Sequence, residues 1–329
     1  MAFSTRTQPS DSHPAPCHGS PPGQTRTSRP APSRRQPETA PATLVRATGG
    51  GLALAVAGGA LLGARGGRPS RAARLAGLGA ALLAGSVLAD SAMEHSRANF
   101  RERRMYAAPL VAGATVAAGV ATALSRASAG PRRLVFRGAA LTGLAGTVFH
   151  FRNILSRPGG LSFNNLFYRA PFGAPGALVL AGGLGLGALA AEEREPRAAG
   201  RALGLLGAGG LFGLTAEVGL LHFRGAFQNP AMYAPVTAVP ATGLALAAAT
   251  LRPSPARLRL ARGALALTSV LGLVGTGFHA YGVSRGNGGW RNWTQNLFQG
   301  PPVAAPPSLA GIALGGFAAL RLLAPGRRG

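Results

Sequence analysis

Residues 217–240 read EVGLLHFRGAFQNPAMYAPVTAVP. The stretch joins the end of one apolar run to the start of the next. It holds the chain's densest set of polar and conformationally special residues: Glu217, His222, Arg224, Asn229, Pro230, Tyr233, Pro235 and Pro240. An apolar run that ends in a histidine, turns through asparagine and proline, and resumes as a second apolar run fits two membrane spans joined by a turn. Looser copies follow His95, His150 and His279.

Working outward, apolar segments near the ~20 residues that cross ~30 Å of hydrocarbon occupy 44–64, 72–93, 106–125, 134–151, 172–190, 201–222, 233–251, 260–281 and 303–323. Soluble stacked helices would carry polar faces, and these segments lack them. The fold expected is all-α and polytopic: a tandem duplication of a four-span unit, residues 71–197 and 198–329, preceded by one N-terminal span within 44–70. Residues 1–43 are rich in Pro, Ser, Thr and Arg and have no apolar run, so they read as a disordered tail that is not a signal peptide. His13 and His18 in that tail receive no role. Cys17 is the single cysteine, which excludes an intrachain disulfide and a thiolate metal cluster.

Only 13% of residues are charged, and the net charge of +25 rests on arginine alone, since lysine is absent. Such composition reflects base bias in a bacterial genome rather than nucleic-acid binding, because the arginines sit in short loops between apolar runs, where they set topology. Loops after spans one, three, five and seven, with the C-terminus, hold 18 arginines; the histidine-bearing loops hold ten. The positive-inside rule therefore places the histidine loops outside a bacterial inner membrane. Nine spans would put the N-terminal tail, with five arginines of its own, on the same outer side; the conflict disappears if the first segment does not span. Glu192, Glu193 and Glu195 read as a solvated cytoplasmic loop. Trp290, Trp293, Tyr106, Tyr168 and Tyr233 read as the outer aromatic belt.

The histidine contexts fall into two kinds. His95 and His222 each follow a carboxylate by five residues (Asp90, Glu217), precede an arginine by two (Arg97, Arg224) and lead to Met-Tyr and a proline. His150 and His279 each end Gly-Thr-x-Phe-His and lead to Asn-Leu-Phe, at Asn165 and Asn296, and then to paired prolines. The offsets, 127 and 129 residues, agree. Even-numbered halves lie the same way up, related by an axis along the membrane normal. All four histidines then share one face.

Asp90 and Glu217 each lie 16 residues beyond an arginine at the start of the span, about 24 Å along a helix. A carboxylate there costs ~2–3 kcal/mol and calls for a partner or a task. Two chemistries compete. In one, His95, His150, His222 and His279, with Asp90 and Glu217, form a site at the outer face for a transition metal ion or haem. In the other, the carboxylates pair with Arg97 or Arg224 and the histidines bond the loops. A five-residue spacing rotates Asp90 away from the helix face of His95. Asn165, Asn229 and Asn296 are explained by turn formation. Thr147 and Thr276 could orient a histidine but more simply bond their own helix carbonyls. No nucleotide-binding glycine loop or serine nucleophile elbow is present. The readings that result are a metal- or redox-cofactor-binding membrane protein, an ion or small-solute transporter or channel, and a structural or assembly subunit of a membrane complex. Each has the lipid bilayer as its first partner.

Overall fold

The computed structural model describes residues 67–125, 128–168, 172–192 and 196–324, with side chains withheld at 167 and 168. The expected tail, the first apolar segment, Cys17, Glu193 and Glu195 lie outside these residues. The described residues are helical and contain no strand. Eight long helices are α1 (Arg71–Arg97), α2 (Ala107–Leu124), α3 (Ala129–Leu155), α5 (Gly173–Ala190), α6 (Pro196–Arg224), α7 (Tyr233–Leu251), α8 (Pro255–Ser284) and α10 (Pro307–Leu323). Two short ones, α4 (Phe163–Tyr168) and α9 (Trp293–Gln299), sit in the loops that follow α3 and α8. The eight long helices fall on the eight later apolar segments. Seven of them, some with a preceding 3-10 turn, are long and apolar enough to cross a membrane; α10, at 17 residues, is slightly shorter.

Local chemistry fixes the helix starts. Ser70 caps α1 by accepting from the Ala73 N–H at 3.2 Å. Ser254 caps α8, with Pro255 at the first helical position, where a missing N–H costs nothing. Pro109, Pro175 and Pro235 each stand in the first turn of their helices, as the sequence implies.

Four helices form a closed ring: α1 packs on α5, α5 on α6, α6 on α10 and α10 on α1. The other four lie around it. In the first half α2 packs on α1 and α3, and α3 on α5. In the second α7 packs on α6 and α8, and α8 on α10. Leu83, Leu184, Leu203, Leu246, Leu265 and Leu320 fill the buried core among many alanines. Small residues set the ring's spacing. A Cβ at Gly79 would stand 2.6 Å from the Gly311 carbonyl oxygen, so α1 and α10 touch backbone to backbone. Gly311 meets the backbone of Leu83 and Gly79 in the same way, whereas Gly315 receives the side chain of Leu184, and Gly183 and Gly187 receive Leu206 and Leu203. Gly209 and Gly213 face open space.

The outer helices turn large apolar side chains outward: Leu134, Leu141 and Val148 on α3, and Leu260, Leu267 and Leu273 on α8, each more than half exposed. Leaving one such side chain in water forgoes about 1.5–3 kcal/mol. A bilayer supplies the missing apolar surroundings, and the chain is a multi-pass membrane protein.

Candidate polar site at the histidine end

Three of the four histidines are bound in the same way. His95 Nδ1 lies 2.6 Å from the Met105 carbonyl oxygen, His222 Nδ1 2.8 Å from that of Met232, and His279 Nδ1 2.7 Å from that of Pro302. A carbonyl can only accept, so Nδ1 carries a proton in each. Each bond ties the end of one span to the approach of the next. His150 sits half-buried at the matching position of α3, within electrostatic reach of His95, as His222 is of His279.

The turns after His95 and His222 agree in detail. Asn99 and Phe100 have φ of 53° and 45°; Ala226 and Phe227 have the same two values. Left-handed backbone is uncommon outside glycine. Here it is held by hydrogen bonds from the Phe100 and Phe227 N–H groups to the His95 and His222 carbonyls, at 3.0 and 3.1 Å. The phenylalanine rings then stack on Tyr106 and Tyr233, with centroids 4.3 and 4.6 Å apart, and meet the histidines edge-on. Tyr106 and Tyr233 are therefore pinned into the turns while remaining exposed, as are Trp290 and Trp293.

The asparagines fasten loops. Asn165 Nδ2 donates to the carbonyls of Pro158 and Gly160 at 3.0 and 2.9 Å; Asn296 Nδ2 donates to Asn287 and Gly289 at 3.2 and 2.9 Å. Both are buried. Asn229 accepts from the Ala231 N–H at 2.9 Å and starts a 3-10 turn over Pro230–Met232. Thr147 and Thr276 bond the Gly143 and Gly272 carbonyls of their own helices at 2.9 and 2.8 Å.

Asp90 and Glu217 occupy ring helices, and both are half-buried. Asp90 lies within electrostatic reach of Glu94, Glu217 and Arg97. Glu217 Oε1 accepts from the Gly173 N–H at 3.0 Å, at the first turn of α5, where the helix dipole favours an anion. A Cβ at Gly173 would fall 1.4 Å from Glu217 Oε2, so the start of α5 is shaped around the carboxylate. Asp90 accepts no hydrogen bond and joins no ion pair among the described residues. The arginine expected to serve it, Arg97, pairs instead with Glu94 and donates to the Phe298 carbonyl. Glu94 was not singled out from sequence, although its i,i+3 spacing to Arg97 is that of a helix-surface ion pair. Arg224 is exposed at the end of α6.

The chain matches no protein-family model, no curated protein and no solved structure.

Among the described residues no three His, Cys, Asp or Glu side chains converge as ligands of one ion. The Nδ1 atoms of His95, His222 and His279 are bonded to loop carbonyls.

At the opposite end, Glu192 departs from the solvated-loop reading. It is half-buried, and its Oε1 accepts from the Ser70 N–H at 2.7 Å, joining the end of α5 to the start of α1. Arg132 lies within its electrostatic reach. That arginine is buried and donates to the Ser125 and Ser128 carbonyls and to Thr122.

Proposed function

We propose that the working site of this membrane protein is the Asp90–Glu217 carboxylate pair at the histidine end of the helix ring, and that it takes up a cation in an ion or small-solute transporter or channel. One observation carries the reading: Asp90 stands half-buried on a ring helix with no hydrogen bond or ion pair among the described residues, within electrostatic reach of Glu94, Glu217 and Arg97. An ionisable side chain inside a span is costly and serves a pathway more often than a fold. Glu217, by contrast, is held by the Gly173 N–H at the start of α5.

A second reading is favoured by the histidine clips. If the repeated turns serve packing alone, the chain is a structural or assembly subunit, and the carboxylates are remnants of its architecture. The cofactor reading has only the remaining Nε2 atoms and no converging set of three ligands among the described residues. The matched turns, the 127- and 129-residue offsets and the parallel packing of the two sets of four helices support a four-span unit duplicated in tandem. The arginine distribution supports a bacterial inner membrane with the histidine end outside. Cation flux through reconstituted protein that depends on Asp90 separates the first reading from the second.

A further inference from the structure

The two halves match at His150 and His279 and differ around them. Aligned on those histidines, α3 carries Val148, Phe151, Arg152 and Leu155 where α8 carries Gly277, Ala280, Tyr281 and Ser284. On α3 these four side chains, with Thr147, line a groove of about 490 Å³. All four are exposed. The packed side of α3, with Phe136 and Gly143, faces α5.

Arg152 supplies the charge. Among the described residues its guanidinium makes no hydrogen bond and no ion pair. It lies 20 residues beyond Arg132, about 30 Å along the helix, which is the thickness of the hydrocarbon layer. Arg152 therefore stands at headgroup level at the histidine end, and Val148 lies a turn deeper. Helical side chains lean toward the N-terminus of their helix, so Phe151 and Leu155 also reach back toward the hydrocarbon. A second cation is close by. Arg104 stands over the Phe149 ring, 5.1 Å from its centroid, and Phe149 precedes Arg152 by three residues on the adjoining side of α3. The pair that Arg104 makes with Glu102 is long, at 3.5 Å, and exposed.

An uncommitted cation at headgroup level, above apolar walls at acyl-chain level, is complementary to a molecule with an anionic head and an apolar tail. We infer that this groove binds an anionic phospholipid, with an acyl chain along Val148, Phe151 and Leu155 and the phosphate at Arg152. A zwitterionic lipid carries its own cation beside the phosphate, whereas an anionic headgroup leaves its net charge to the arginine. The matching face of α8 has neither the apolar walls nor the cation. The site lies on the outside of the bundle and is independent of the carboxylate reading.

Tryptophan quenching by brominated lipid tests it. Leu144, a turn deeper than Val148 on the same face, and Leu273, its counterpart on α8, are 52% and 70% exposed. In a background of Trp290→Phe and Trp293→Phe, which removes both native tryptophans, Leu144→Trp or Leu273→Trp is the single reporter. Vesicles hold equal parts of phosphatidylglycerol and phosphatidylcholine, with bromine on the chains of one or the other. One arginine near an anionic headgroup gives about a fivefold preference. The expected result is that preference for phosphatidylglycerol at Leu144→Trp, with none at Leu273→Trp. Adding Arg152→Gln should remove it, and Arg152→Lys should keep it. Equal quenching by the two lipids at Leu144→Trp would overturn the assignment. So would the same preference at both reporters, or a preference that survives Arg152→Gln. Weak quenching by either lipid at Leu144→Trp would show that a protein surface, such as a second copy, covers the groove, and would also overturn it. If Arg152→Gln fails to fold, the contrast between the two reporters still decides.

Discussion

The Glu217 carboxylate accepts the Gly173 backbone N–H at 3.0 Å, closing the start of α5 with a side chain from α6. Residues 44 positions apart are thereby fixed at the boundary between the two four-helix sets. Gly173→Ala puts a methyl group where the carboxylate sits, so Glu217 must leave. Loss of a capping interaction costs ~1 kcal/mol, and displacing a charge within the bilayer edge adds to it. Gly173→Ala should lower the melting temperature in detergent more than Gly176→Ala, since a Cβ at Gly176 meets nothing within 4 Å. Equal effects of the two would show that the carboxylate is not seated there.

The histidine clips predict a stability effect without a metal effect. His95→Ala and His222→Ala each remove the donor to a loop carbonyl, a loss of about 1–3 kcal/mol when the acceptor is left unsatisfied. The two sites share no partner, so the double variant should lose close to the sum. Metal content of the purified protein should be the same for wild type and double variant. A stoichiometric metal or haem band present in wild type and absent from the variant would restore the ligand role.

The buried asparagines predict a matched pair of effects. Asn165→Ala and Asn296→Ala each strand two loop carbonyls, so each should cost about 1–3 kcal/mol and make its own loop more sensitive to protease. Asn229→Ala touches an exposed turn and should cost less. Thermal unfolding followed by circular dichroism, with limited proteolysis, ranks the three.

Backbone contact between α1 and α10 predicts the largest packing effect. Gly79→Leu forces a side chain into the Gly311 backbone, whereas Gly209→Leu points into open space. Overpacking costs about 1–3 kcal/mol or more. Gly79→Leu should reduce the yield of monodisperse protein while Gly209→Leu leaves it near wild type. Size-exclusion profiles of the two provide the check.

These contrasts show what sequence could and could not reveal. The eight described spans were legible because a bilayer demands twenty apolar residues in a row, a constraint written locally in the chain. The turns after His95 and His222 were legible as matched features for the same reason: Met-Tyr, proline and histidine recur at matched spacing. Their chemistry was not. A histidine bonded to a carbonyl ten residues on looks, in sequence, like a histidine bound to metal, because the acceptor is backbone and carries no residue signature. Gly173 gave no signal, since its role depends on Glu217 arriving from another helix. Glu192 read as loop charge because its partner, the Ser70 N–H, lies 122 residues away. Pairing of a carboxylate with Arg97 or Arg224 was one of two alternatives for Asp90 and Glu217; Arg97 pairs with Glu94, three residues away.

Among the described residues Asp90 makes no hydrogen bond and no ion pair. Asp90→Asn removes a charge whose cost within the membrane is ~2–3 kcal/mol and breaks no hydrogen bond, so folding stability should hold or rise. The decisive measurement is cation-driven flux, for protons and for sodium and potassium ions, in proteoliposomes of wild-type protein beside the Asp90→Asn variant. The account predicts flux of at least one of these ions through the wild type and its loss in the variant, with an unchanged circular dichroism spectrum and an equal or higher melting temperature. Equal flux through both proteins, or no flux of any of the three through well-folded wild type, would contradict it.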